Sequence, residues 1–174
     1  MRLHANGLQF EVQIDGSPDG EPLLLIMGLS MQLTAWPDEL VADLVARGFR
    51  VIRFDNRDIG LSEHLDQHGQ PHLGLAVMRH VLRLPQRAPY TLADMAADAL
   101  GLLDALGVPQ AHVCGASMGG MIAQHLAARH PSRVKSLVLM MTSSGSRRLP
   151  GPTARVQRAL LAKPMGREHA ALVA

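Results

Sequence analysis

Cysteine is almost missing from this chain of 174 residues. Cys114 stands alone, which excludes an intramolecular disulfide and leaves no cysteine cluster to hold a metal. Aromatics are scarce too, at 3% of residues, so the core must be filled by aliphatic side chains and by ten methionines. Long apolar runs are absent. Leu23–Met27 and Leu137–Met141, among the longest, hold five residues each, against the ~20 a membrane-crossing helix needs. Met1–Gln9 lacks the basic-then-apolar order of a secretory leader. Nor is there an excess of one charge: 17 Lys and Arg stand against 15 Asp and Glu. These absences lead us to expect a cytoplasmic protein with no membrane span, no nucleic-acid partner, no metal and no cofactor.

What is present points to a folded domain. Apolar residues make up 47% and charged residues 18%, a composition that excludes intrinsic disorder. The length fits one domain. The charge is uneven along it: Arg147, Arg148, Arg155, Arg158, Lys163 and Arg167 face only Glu168 in the last 28 residues. With no aromatic residue among them, these basic groups read as a solvated helix face rather than a polyanion or membrane contact.

The pattern alternates between strand and helix. Asn6-Gly7 between Leu3–Ala5 and Leu8–Ile14 predicts a hairpin at the sheet edge. Leu23–Met27, Arg50–Phe54, Ala111–Cys114 and Val134–Met141 read as strands buried on both faces. Helices are expected over Pro37–Arg47, with Leu40, Leu44 and Val45 on its apolar stripe, over Thr91–Leu106 and over Met118–His130. Thr91 with Asp94 three residues on predicts a capping box. Such alternation implies an α/β fold, a mostly parallel sheet with helices on both faces. Reactive groups in such sheets lie beyond the carboxyl ends of the strands.

One segment there carries chemistry. Gly115-Ala116-Ser117-Met118-Gly119 is a Gly-x-Ser-x-Gly sequence between a strand and a helix. A serine on so sharp a turn is held in a strained backbone conformation with its hydroxyl exposed, and side chains at 115 or 119 would collide with the neighbouring elements. Gly115 and Gly119 are therefore the structural elbow, and Ser117 is the candidate catalytic nucleophile. An oxyanion hole needs two convergent donors. The backbone N–H of Met118 supplies one, and the N–H of Leu29, after Gly28, is the candidate for the other. A dinucleotide fingerprint is ruled out by the glycine spacing, and a phosphate loop by the absence of Gly-Lys-Ser/Thr.

These residues, together with Leu23–Gly28, Phe54-Asp55-Asn56-Arg57-Asp58-Ile59-Gly60-Leu61-Ser62, the Tyr90–Leu106 segment and His130-Pro131-Ser132-Arg133-Val134, resemble the α/β-hydrolase family of single-domain esterases. Within it the chain is most similar to bacterial hydrolases related to the methylesterases of anthracycline pathways. The resemblance implies hydrolysis of small carboxylic esters through an acyl-enzyme, with a core over residues 1–145 and a lid beginning at 146–174. Met27 departs from the histidine common in the family before this glycine, a change that leaves the backbone donor in place.

In the family order, an acid and a histidine follow the serine. After Val134–Met141 the only candidates are Glu168 and His169, which are adjacent and cannot act from separate strand ends. His125 reads as a structural histidine on its helix, and His112 as a strand residue behind the serine. His64, His68, His72 and His80 lack a tight metal spacing, and Asp55 and Asp58 around Arg57 read as a loop-fixing charge network. We therefore expect an N-terminal portion of a hydrolase, inactive as this chain, whose Val134–Met141 edge is exposed and open to self-association. Two alternatives stay open: a non-catalytic binding protein on the same fold, and a cofactor-free haloperoxidase-type enzyme using the same serine. Haloalkane dehalogenation is excluded because it needs aspartate at 117.

Overall fold

Asn6 and Gly7 both lie at positive φ, 46° and 79°, the pair of left-handed residues that a two-residue hairpin turn demands. They join β1 (Arg2–Ala5) to β2 (Leu8–Asp15) with Ala5 opposite Leu8. The computed structural model describes residues 1–65, 88–146 and positions 148, 149, 153, 155 and 156. The expectations for His68, His72, His80, Glu168 and His169, and most of the proposed lid, lie outside the described residues. The chain divides into two compact units, Met1–Ser144 and Gly145–Ala174.

The first unit is built on a six-stranded sheet in the order β1-β2-β4-β3-β5-β6. The remaining strands are β3 (Glu21–Ile26), β4 (Phe49–Phe54), β5 (Ala111–Ala116) and β6 (Val134–Met140). These four run parallel, while the hairpin attaches antiparallel through β2 to β4. The fold is thus the mostly parallel α/β arrangement that the alternating pattern implies.

Strand β3 shows why an unbroken apolar run belongs in the middle of such a sheet. Leu24 and Ile26 face one core with Phe10, Phe54, Leu102 and Leu126, while Leu23 and Leu25 face another with Trp36, Val41 and Cys114. Each such side chain contributes about 1.5–3 kcal/mol by leaving water. Helices α2 (Leu92–Ala105) and α3 (Met118–Arg129) cover the first face, and α1 (Asp38–Ala46) packs against β4 over the second. The Thr91–Asp94 capping box is present in full. On α1 the expected stripe is shifted by one residue: Val41 is the buried anchor and Leu40 is exposed, with Leu44 and Val45 half-buried beside Val41. Beyond β5, β6 lies at the edge with Val138, Leu139, Met140 and Met141 exposed, the last at 82%.

The loop after β4 differs from expectation in its charge pairing. Arg57 does not bind Asp55 or Asp58. It forms two 2.6 Å bonds to the buried carboxylate of Asp98 on α2, and Asn6 of the hairpin donates to the same carboxylate at 2.7 Å. Asp58 instead accepts from the Leu65 backbone at 2.6 Å. The guanidinium of Arg57 lies 5.0 Å over the Tyr90 ring. Burial, then the hydrogen bond to Asp58, pushes the Tyr90 phenol up to about 12. Because Tyr90 is the sole tyrosine, absorbance at 295 nm reads it alone. We expect a midpoint near 12 in the folded chain against roughly 10 in denaturant. Between those values the folded state holds a proton that the unfolded state has lost, so stability falls as pH rises through that window. A folded-state midpoint at the ordinary phenol value would contradict the packing of Tyr90 between Arg57 and Asp58.

Candidate active site

Ser117 follows the carboxyl end of β5 and caps α3, with φ 54° and ψ −119°. No β-carbon residue adopts that conformation without strain, which persists only where the surroundings enforce it. Three enforcing contacts are visible. A β-carbon on Gly115 would run into the Gly119 carbonyl and lie 2.7 Å from the Gly120 α-carbon. One on Gly119 would strike the Ile26 carbonyl oxygen and lie 2.7 Å from that of Met27. One on Gly120 would lie 2.5–2.8 Å from the Thr142 side chain. The helix therefore meets the sheet backbone to backbone, and the turn between them has no room to relax. Its ends are tied as well: the Ser117 N–H donates to Met140 O at 2.9 Å, and the Thr142 hydroxyl donates to Ser117 O at 2.7 Å.

The serine itself is exposed, and its hydroxyl makes no capping bond to the helix. Met118 occupies the first helical position, where the N–H has no intrahelical acceptor. The positive end of the α3 dipole lies at the same place. Gly28, after β3, lies directly against the serine. A β-carbon there would be 3.1 Å from Ser117 Cβ and 3.6 Å from its Oγ. Leu29 follows, 69% exposed. The structure therefore gathers Ser117, Met118, Gly115, Gly119 and the Gly28–Leu29 turn in one place.

Among the described residues it brings no histidine to them. His112 lies at the amino end of β5, and five residues of strand, about 16 Å, separate it from Ser117. Its ring bonds Ser136 Oγ at 2.7 Å and sits 3.4 Å from Glu21. Glu21 is held below the ordinary carboxylate range, chiefly by its hydrogen bond from Lys135. His125 is half-buried on α3, eight residues or about 12 Å along the helix. His64 is exposed beside the Gly60 carbonyl at 3.2 Å. Among the described residues no histidine is hydrogen-bonded to Ser117, and no group of three His, Cys, Asp or Glu is gathered as a metal would require. Cys114 is buried beneath the site, 3.7 Å from the Met140 sulfur, and burial pushes its thiol up, away from the reactive thiolate. No described helix is long and apolar enough to cross a membrane.

Two residues near the site escaped the sequence reading in this role. Asp55 is 3% exposed and accepts from the Leu33 N–H at 2.6 Å and the Leu61 N–H at 3.1 Å. Burial pushes its carboxyl up, against the downward pull of those two bonds. Asn56 is 2% exposed, and its amide donates to the Met27 carbonyl at 3.0 Å. The only signal was indirect: both stand in the Phe54–Ser62 segment that carries part of the family resemblance.

The profile of the α/β-hydrolase fold matches residues 21–168, and the chain belongs to that family. It is 40% identical over 126 residues to rhodomycin D methylesterase DnrP of Streptomyces peucetius, covering 72% of this chain and 36% of that protein. It is 32% identical over 128 residues to BpoC of Mycobacterium tuberculosis, described provisionally as a non-heme bromoperoxidase, covering 74% and 40%. In structure it is similar to the enol-lactonase of Burkholderia xenovorans, with a TM-score of 0.66 and 30% identity over 92% of this chain and 52% of that one. The chain thus spans about two-fifths or less of the two curated relatives' lengths. The names of its relatives include an esterase, a bromoperoxidase and a semialdehyde hydrolase.

Proposed function

We propose that Ser117 is the nucleophile of a serine hydrolase that acts on carboxylic esters. The hydroxyl oxygen attacks the ester carbonyl, the developing oxyanion takes hydrogen bonds from the Met118 and Leu29 N–H groups, and as the C–O bond breaks the proton given up by the serine hydroxyl passes to the alkoxide, which departs as an alcohol. The acyl group then rests on Ser117 until water displaces it. The observation that carries this reading is the strained, exposed Ser117 at φ 54°, with Gly28 so near that a β-carbon on it would lie 3.1 Å from Ser117 Cβ. The methylesterase relative supports an ester as the substrate class. In the same reading a lid begins at residue 146.

The described residues supply the nucleophile and two donors, with no acid–histidine pair on the serine. A serine hydroxyl without its base is a weak nucleophile at neutral pH. The 174-residue chain should therefore hydrolyse p-nitrophenyl acetate by no more than roughly 10³–10⁴ over water, some 10⁶ below an intact triad. Prolonged treatment with a fluorophosphonate should nonetheless phosphonylate Ser117, read by peptide mass spectrometry, and Ser117→Ala should remove the label. Strong esterase activity that depends on Ser117 would contradict the expected inactivity, and a Ser117 that never labels in a longer chain supplying the acid and histidine would contradict the nucleophile.

The mycobacterial relative favours a second reading, haloperoxidase-type chemistry at the same serine. Halide oxidation that requires both an added carboxylic acid and peroxide, and that is lost in Ser117→Ala, would select it.

A further inference from the structure

The turn that brings Gly28 and Leu29 against the serine does not hold its shape through apolar packing. Leu29 is 69% and Met31 49% exposed. Ser30 lies at φ 58°, a left-handed conformation that a side chain adopts only when its surroundings hold it. Within the turn one bond is seen, a long one of 3.4 Å from Met31 N–H to Gly28 O. Something outside the turn must fix it.

Two buried bonds do so, and they bracket it. Before the turn, the Asn56 amide donates to Met27 O at 3.0 Å. After it, the Leu33 N–H donates to Asp55 Oδ1 at 2.6 Å. Both side chains are 2–3% exposed and come from adjacent positions at the end of β4. Asp55 is anchored in turn by the Leu61 N–H at 3.1 Å and by Gly60, where a β-carbon would collide with its carboxylate. The Met27 carbonyl held by Asn56 is also one of the atoms against which Gly119 is packed. One dipeptide therefore sets the peptide that enters the turn, the one that leaves it, and the depth of β3 under the elbow.

We infer that Asp55 and Asn56 are positioning residues for the oxyanion-binding turn, holding Gly28 and Leu29 against Ser117 by clamping Met27 O and Leu33 N–H. This inference rests on the reading of Ser117 as the nucleophile. Neither residue touches substrate; their effect reaches the reaction through the placement of one backbone donor. An unplaced donor cannot meet the charge as it develops, so the consequence appears in reactivity rather than in the fold.

The test uses Asn56→Ala, which removes the first bond, and Asp55→Asn, which keeps the side-chain volume but leaves a single acceptor for two N–H groups. Two readouts are taken on the full 174-residue chain: amide hydrogen exchange at Met31 and Leu33, whose N–H groups are hydrogen-bonded in and after the turn, and the rate at which a fluorophosphonate labels Ser117. In both variants exchange at Met31 and Leu33 should quicken, and labelling should slow, each by at least about tenfold, while amides of β5 and α3 keep their protection. A purely structural role would lower protection throughout the sheet. If Asn56→Ala fails to fold, Asp55→Asn decides alone. Labelling unchanged in a folded variant overturns the inference, whether or not the turn has loosened. If Ser117 does not label even before any substitution is made, that outcome bears on the nucleophile reading, and exchange at Met31 and Leu33 decides the inference alone: unchanged exchange in a folded variant overturns it.

Discussion

Replacing Arg57 with alanine is expected to destabilise the protein by about 3–5 kcal/mol, because it leaves the carboxylate of Asp98 buried without its countercharge. Asp98 is 1% exposed and receives both guanidinium bonds at 2.6 Å. The Asn6 amide, bonded to one oxygen at 2.7 Å, is too little to replace them. Asp98→Ala should cost a similar amount by stranding Arg57. The pair joined as Arg57→Leu with Asp98→Leu should cost less than either single change, since apolar side chains of similar volume remove the desolvation penalty together. Urea unfolding followed by circular dichroism measures all three. A double variant as unstable as the sum of the singles would show that the two residues are not coupled and that stranding a partner is not what makes the single changes costly.

The second large effect is expected at Gly119. A β-carbon there meets the main chain of β3 at Ile26 and Met27, including the Ile26 carbonyl carbon at 2.6 Å. A flexible side chain could swing away from such an intrusion, but the backbone of a central strand cannot. Gly119→Ala should fall at the upper end of overpacking costs, about 3 kcal/mol, and lower the melting temperature by roughly 10 °C. Scanning calorimetry gives the result. An unchanged melting temperature would mean that α3 can lift from the sheet at no cost, and the conformation of Ser117 would then lack its enforcement.

These two sites differ in how far the sequence revealed them. Gly119 was legible because its constraint is local: a strand, a serine and a helix within six residues admit few geometries, and glycines at 115 and 119 fit one. Asn6-Gly7 was legible for the same reason, since the left-handed turn is a property of those two residues. The Arg57 partner was not, because Asp98 lies 41 residues away on a different element. From the sequence, the acids next to Arg57 were the evident partners, yet Asp55 is committed to the Leu33 and Leu61 N–H groups and Asp58 to the Leu65 N–H and the Tyr90 phenol. The displaced stripe on α1 has a similar origin. Leu40 and Val41 are equally apolar, and the path of the chain into the helix decides which of them meets the sheet. The Asn56 clamp was hidden because its acceptor is a carbonyl, which every residue possesses.

The single tryptophan in the sequence stands at the far end of the clamped turn. Trp36 is 3% exposed among aliphatic side chains, and its indole N–H has no hydrogen-bond partner among the described residues. A chromophore in so dry a setting emits toward the blue, and its emission shifts to the red as soon as water reaches it. The protein thus carries an intrinsic fluorescent probe on the very loop whose motion would misplace Leu29. Local loosening near the serine can be followed optically while the sheet remains intact.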